Sequence, residues 1–569
     1  MRVNSYLHQQ VRLTGTSRAF GVPGSYIMPT WQTFESDPRI VLARHESGAA
    51  FMADGWSRVT GRLGVVLTTI GPGLTNLVTG VAGAYRDSTP LLVVTGQAPA
   101  ASFGRGVFQE SYGLDRSTSP HDLLAAITKT SLEITDPANA RHLIDTAIAT
   151  ALAGRAGPVH LSIPVDLQAA EIPVTGHEPA VSVWAAPRPQ PPMSPSAYAT
   201  TAAELAAAER PLILIGWGAA RHGLGGDVEA IAEYLGAPVA STTKAISCLP
   251  ASHSLLAGHL GPGQRADLMP FLHSYDPDVI VLLGVSLHDY YAGPIAGLLD
   301  RAMTVRVDVD PDQLWLRHNP DTALLGDLRS VLPGLRDAVA GHVLAAHPRP
   351  RPDATVAEAL RQFRDRRTRA IAAQPAAFGN EISMAGTIAR LGALLPTDAV
   401  VIPDAGNHWL DTISLHQPQR SGGILLNCGL GAMGWGIGAA VGVALADLGR
   451  KTVCVTGDGS MLMHGSELSV AAERSADLLV LVFNNRSHGR VRLTQRLEFD
   501  GDLLGSSLPN IDFSQWMSAM GMSSFRASGP EEVAPVLGRA VEQKGTVGVE
   551  IRCNPDETPA CWRDWMEGT

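Results

Sequence analysis

The chain has 569 residues, of which 45% are apolar and 17% charged, with a formal net charge of -10. At roughly 100–200 residues per domain, this is a globular protein of about three or four domains, each able to build its own core. The acidic balance leaves no basic footprint for nucleic acid, and no apolar run approaches the roughly eighteen residues of a membrane span.

From the N-terminus onward, MRVNSYLHQQVRL lacks a continuous apolar core, so no signal peptide is expected. Three segments then share one pattern: short β-branched runs alternating with longer amphipathic stretches, as in βαβ units on parallel sheets. In the first, Gly64–Thr68 and Leu91–Thr95 are expected strands, with a helix over Thr75–Tyr85 between them. The proline-rich stretch Pro187–Pro195 closes this segment, since it can continue neither a helix nor a central strand. In the second, Leu212–Ile215, Val279–Leu283 and Thr304–Val309 are expected strands. His347–Pro352 is the next break, followed by a charged helix over Val356–Ala372. In the third, Ala399–Ile402, Thr452–Thr456 and Leu478–Phe483 are expected strands. The reading is an α/β protein of three Rossmann-like parallel-sheet domains, spanning residues 1–175, 196–340 and 375–569. The cysteines, Cys248, Cys428, Cys454, Cys553 and Cys561, are scattered without metal spacing, which suits free thiols in a reducing cytoplasm.

The third segment carries the sharpest chemistry. The strand ending at Thr456 runs into Gly457-Asp458-Gly459-Ser460 and then a helix. Glycines at a strand end allow close backbone approach, and the new helix offers free N–H groups to a phosphate. Asp458 would repel a bare diphosphate, so its presence implies a bridging cation. Mg²⁺ suits, taking one or two side-chain oxygens and others from phosphates. The next strand ends in Asn484-Asn485-Arg486-Ser487-His488-Gly489. Carboxyl ends of neighbouring parallel strands meet one crevice, so Asp458 and Asn485 can share an ion.

A GDG, then a helix and a strand, then NN resembles the signature of thiamine diphosphate enzymes. The resemblance implies Mg²⁺ held by Asp458, Asn485 and the backbone carbonyl of Ser487, with Gly457, Gly459, Ser460 and Gly489 around the diphosphate. Arg44-His45-Glu46 resembles the family's RHE segment, whose Glu faces the cofactor's pyrimidine and drives its acid–base activation. Its surroundings match as well. Gly24 lies in the preceding Gly21–Gly24 turn, and Gly73 and Asn76 lie in Gly71-Pro72-Gly73-Leu74-Thr75-Asn76. In the third segment, Gly406, Asn407 and His408 fall where the family contacts the diphosphate. In Gly429-Leu430-Gly431-Ala432-Met433-Gly434, Met433 would wedge between the two cofactor rings, and carbonyls at Gly429 or Gly431 and at Met433 would hold the pyrimidine amine.

The whole chain thus resembles the acetolactate synthase, pyruvate oxidase and benzoylformate decarboxylase superfamily, and the acetolactate synthase branch in particular. That resemblance implies a homodimer or homotetramer with active sites between subunits, a small 2-oxo-acid substrate, and no nucleic-acid or membrane partner. Departures from the branch are specific. Its flavin- and acceptor-binding segment is Gly284–Gly293 here, with Ser286 and Tyr290 in place of arginines, and Leu260-Gly261-Pro262 is also altered. Losing an Arg–carboxylate pair removes a charge-assisted contact, so no FAD is expected. After the NN motif, Arg490 stands for an apolar Met and Thr494 for a bulky Trp, which points to a larger or more anionic substrate than pyruvate. Ser111–His121 reads as an insertion near the entrance. Thr68, where simple decarboxylases place a His, favours carbon–carbon bond formation. Phe108, Gln109 and His488 complete the expected pocket, with Glu46 and Gln109 as catalytic groups. The expected function is a carboligase; the alternatives are a non-oxidative 2-oxo-acid decarboxylase and a non-catalytic paralogue. The last is disfavoured by retention of Glu46, Asp458 and Asn485.

Overall fold

The computed structural model describes residues 1–113, 116–173, 193–346, 354–559 and 561–562. Both proline-rich breaks, Pro187–Pro195 for the most part and His347–Pro352 entirely, lie outside the described residues, as does part of the Ser111–His121 insertion. The side chain of Tyr290 is likewise outside them.

Three parallel sheets carry the fold. The first runs Arg39–Leu42, Arg18–Val22, Gly64–Thr68, Leu91–Gln97, Val159–Pro164, Ser131–Glu133 in spatial order. The second runs Thr322–Leu325, Met303–Asp308, Val279–Leu283, Pro211–Ile215, Val239–Thr242, Leu256–Leu260. Its order is that of a doubly wound dinucleotide fold, reversing between Pro211–Ile215 and Val279–Leu283. The third runs Val400–Pro403, Thr452–Gly457, Leu478–Asn484, Thr546–Arg552, Ser523–Ala527. Central strands such as Leu478–Asn484 are buried at every residue, because helices cover both faces.

The expected strands all form, to within a residue or two of the boundaries read from sequence. The helix expected over Thr75–Tyr85 starts earlier. Gly71, at φ +66, turns the chain, Pro72 fills the first helical turn, and Pro72–Asn76 passes through Leu77 into Val78–Arg86. The charged helix spans Ala354–Ala372.

Two helices join the first and third sheets. Glu46–Thr60 is buried from Glu46 to Arg58, and Trp435–Ala444 is buried from Trp435 to Val443. Glycines let their backbones touch. A Cβ on Gly442 would lie 2.0 Å from the Met52 carbonyl oxygen, and one on Gly55 would lie 2.4 Å from that of Ala439. A buried charge network seals the junction. Arg58 donates to Asp54 at 2.7 Å and to Asp87 at 2.8 Å, Trp435 Nε1 donates to Asp54 at 2.6 Å, and Lys244 from the central sheet reaches Asp87 at 2.8 Å. Each buried charge is paired, as such burial demands.

Candidate active site

The strand Thr452–Gly457 delivers Asp458 to the first turn of the Asp458–His464 helix, and Leu478–Asn484 delivers Asn485 beside it. Asp458 accepts from the backbone N–H of Gly459 at 2.8 Å and of Ser487 at 3.2 Å. Asn485 Oδ1 accepts from Ser487 N at 3.1 Å. All three residues are buried. Burial pushes the Asp458 carboxyl up to about 6 against the N–H groups that oppose the shift. A buried oxygen cluster of this kind suits a small hard cation.

These residues face a cavity of about 260 Å³. Gly457 and Gly459 are part of its wall, as are Gly406, Asn407 and His408. Gly431, Met433, His488, Gly489 and Arg490 complete the features expected from sequence. The glycines mark how closely the walls converge. A Cβ on Gly459 would sit 2.8 Å from His488 Nδ1 and 3.0 Å from Met433 Cε, and one on Gly489 would sit 2.9 Å from Asn485 Nδ2 and 3.2 Å from Asn407 Nδ2. Asn407 Oδ1 and His408 Nε2 are buried and have no hydrogen-bond partner. Burial lowers His408 to about 4, which leaves a neutral ring. The donor set, the unsatisfied polar atoms and the glycine-lined floor fit a Mg²⁺–diphosphate group.

Asp404, which follows the Val400–Pro403 strand, has a task that no sequence motif announces. Its carboxylate accepts from the N–H groups of Gly434 at 2.9 Å and Gly436 at 3.1 Å and from Thr456 Oγ1 at 3.1 Å. It thereby ties the glycine turn carrying Met433 to the Thr452–Gly457 strand. Gly429 stands apart from the cavity: a Cβ there would lie 2.5 Å from Asp87 Oδ1, so this residue packs on the first domain.

The other expected groups gather elsewhere. Glu46 opens its helix and accepts from Asn76 Nδ2 at 2.9 Å. Gly73 lies under Glu46, its Cβ position 3.7 Å from Glu46 Oε1, and Gly24 packs on Thr69. Gln109, at φ +57, covers Gly71. Phe108 is 79% exposed, held only through its carbonyl by the Tyr26 hydroxyl at 2.7 Å. Among the described residues, none of the first domain lines the 260 Å³ cavity. One chain therefore presents two half-sites, one around Glu46 and one around Asp458.

Thr494 is not in the cavity wall; its Oγ1 accepts from Arg490 Nη1 at 2.6 Å. A second cavity, of about 90 Å³, lies at the reversal point of the central sheet between Trp217, Gly218, Arg221, Gly284 and Ser286.

Residues 1–117 match the thiamine pyrophosphate enzyme N-terminal TPP binding domain, 198–335 the central domain and 404–551 the C-terminal TPP binding domain. The chain is 30% identical over 557 residues to acetolactate synthase isozyme 1 large subunit of Escherichia coli strain K12, covering 97% of this chain and 93% of that one. It is 28% identical to the probable acetolactate synthase large subunit of Methanocaldococcus jannaschii, over 95% of this chain and 90% of that one. It is also 28% identical to the acetolactate synthase large subunit of Corynebacterium glutamicum, over 92% and 82%. With the two half-sites built from the same segments that these matches cover, the chain belongs to the thiamine pyrophosphate enzyme family and is an acetolactate synthase-like, thiamine diphosphate-dependent enzyme.

Proposed function

We propose that this enzyme is a Mg²⁺-dependent carboligase of the cytoplasm that decarboxylates a 2-oxo acid and passes the acyl unit to an acceptor. Its working form is a homodimer or homotetramer with active sites between subunits, in chains divided at 1–175, 196–340 and 375–569. The observation that carries the reading is the pair of half-sites: an acid without a cofactor cradle, and a cradle without an acid, on one chain. A second copy supplies to each what it lacks.

Bound thiamine diphosphate supplies the nucleophilic carbon and the electron sink that decarboxylation requires. The chain's own residues do the rest. Asp458, Asn485 Oδ1 and the Ser487 carbonyl would hold Mg²⁺. The first N–H groups of the Asp458–His464 helix, with Asn407 and His408, face the diphosphate. Met433 and the Gly431 carbonyl, both in the cavity wall, would hold the cofactor's rings. Glu46, oriented by Asn76, gives and takes a proton at the pyrimidine ring nitrogen. Gln109 and Phe108 close the reacting face from the other chain.

The substrate carries a second anionic group, because Arg490 borders the cavity where the related enzymes have Met. The enzyme works without flavin, a reading that rests on Ser286 and Tyr290 in place of arginines and on the altered Leu260–Pro262 segment. One observation favours the rival decarboxylase. His488 lies beside Met433 in the cavity and can deliver a proton to the product carbon. The experiment that decides is CO₂ release and product mass measured together over a panel of 2-oxo acids, with and without acceptors. Aldehyde as the sole product under every acceptor condition refutes carboligation.

A further inference from the structure

Arg490 does not stand by itself in the cavity wall. Its guanidinium carbon lies 3.4 Å from the ring centroid of Trp562, while Nη1 donates to Thr494 Oγ1 at 2.6 Å. One contact is a face and the other an edge, and together they restrict both the tilt and the rotation of the guanidinium plane. Trp562 comes from a remote segment, more than sixty residues along the chain, and is 8% exposed.

That segment is fixed to the walls of the diphosphate half-site. Cys553 bridges Ile382, and its N–H donates to the Asn484 carbonyl at 3.2 Å. Asp556 takes Arg492 Nε at 2.8 Å, and its carbonyl takes Arg496 Nη1 at 2.8 Å. Glu557 accepts from Ser383 Oγ and Met384 N, each at 2.6 Å. Met384 is itself part of the cavity wall. Trp562 then packs in the same apolar cluster as Leu493, on the helix that bears Arg490. The indole is thus held by contacts with the protein itself.

We propose that Trp562 is a positioning residue for substrate choice: it holds the Arg490 guanidinium over the cavity so that the arginine selects 2-oxo acids with a second carboxylate or sulfonate. This rests on the reading of Arg490 as the anion-recognising group. The physical logic is preorganisation. An unrestrained arginine gives up rotamer freedom when it binds an anion, and a stacked one has given it up on folding.

The test uses the holoenzyme, with pyruvate compared against 2-oxoglutarate and 3-sulfopyruvate, and reads the ratio of kcat/KM for dianion to monoanion. Arg490→Met lowers that ratio about tenfold or more, through KM. Trp562→Leu lowers it by about three- to tenfold, also through KM, and Trp562→Phe, which keeps an aromatic face, recovers most of the loss. The double variant Arg490→Met/Trp562→Leu is no less selective than Arg490→Met. A Trp562→Leu enzyme that loses the same factor on all three substrates overturns the inference, and so does a loss that adds in full to that of Arg490→Met; both leave the Arg490 reading standing. An unchanged ratio in Arg490→Met overturns the Arg490 reading and takes this inference with it.

Discussion

Glu467 offers the clearest physical test of the junction that presents Glu46. Its carboxyl is fully buried at the foot of the Glu46–Thr60 helix: Oε2 accepts the Arg44 N–H at 3.0 Å, and a Cβ on Gly48 would lie 2.1 Å from Oε1. Burial, with a smaller contribution from the charge on Glu46, pushes Glu467 up to about 7 from the free value of 4.5. The sign follows from linkage. Between pH 4.5 and 7 the unfolded chain has lost this proton and the folded chain keeps it, so stability falls as pH rises through that window and is level above it. At 1.36 kcal/mol per pH unit, the penalty above pH 7 is about 3 kcal/mol. Glu467→Gln keeps an acceptor for Arg44 N and has nothing to ionise. The stability of Glu467→Gln relative to wild type therefore grows by about 2–4 kcal/mol between pH 5 and pH 8. Urea midpoints of both proteins at pH 5, 6, 7 and 8, followed by tryptophan fluorescence, read this directly. A difference between the two proteins that does not vary with pH refutes the reasoning, because it means that Glu467 is ionised throughout.

Glu46→Gln lowers turnover about 10²–10⁴-fold with the fold intact, since the amide has no proton to exchange; near-normal kcat with normal circular dichroism removes Glu46 from the mechanism. Asp458→Ala abolishes Mg²⁺-dependent thiamine diphosphate binding, while Asn485→Ala, which removes a neutral ligand, weakens it less; unchanged calorimetric affinity in both places the cation elsewhere. Purified enzyme shows no flavin absorption, and a stoichiometric flavin spectrum would contradict the proposed flavin-free reading. Inactive Glu46→Gln and Asp458→Ala chains, unfolded together and refolded as a mixture, recover activity, because a mixed dimer holds one site with both wild-type halves; a mixture as inactive as its parents counts against sites shared between chains.

The sheet-forming runs were legible because parallel strands buried on both faces are written as unbroken apolar stretches, as in Leu478–Phe483. The diphosphate half-site was legible for a related reason: ligand-binding residues at strand ends are adjacent in sequence to the strands, so GDG and NN carry their own positions. Asp404 was harder to read. Its partners Gly434 and Gly436 lie about thirty residues away, and a buried carboxylate serving backbone N–H groups has no local pattern. Glu467 and Trp562 show the same limit, since each acts on a segment brought to it only by tertiary packing. Thr494 was read as space left by a missing Trp; in the structure its hydroxyl anchors Arg490 one helical turn back, a contact open to i,i+4 reasoning.

The separation of the half-sites is built into the packing. Moving Glu46 relative to the third sheet would pull the Glu46–Thr60 helix off the Trp435–Ala444 helix. That helix pair is in backbone contact at Gly55 and Gly442, positions where only glycine fits. Leaving would also break the Asp54–Trp435 hydrogen bond and the Arg58 contact to the Leu426 carbonyl at 2.7 Å, and would strand charges that are now paired. Removing one partner of a buried ion pair costs about 3–5 kcal/mol, and here several would be lost at once. Displacing the Glu46–Thr60 helix from the third sheet is therefore costly. The same contacts fix the Glu46–Thr60 helix against the third sheet. On the proposed reading, that rigidity is what the second subunit requires: it meets a preformed acid and a preformed cradle, and neither must be ordered when the two chains associate.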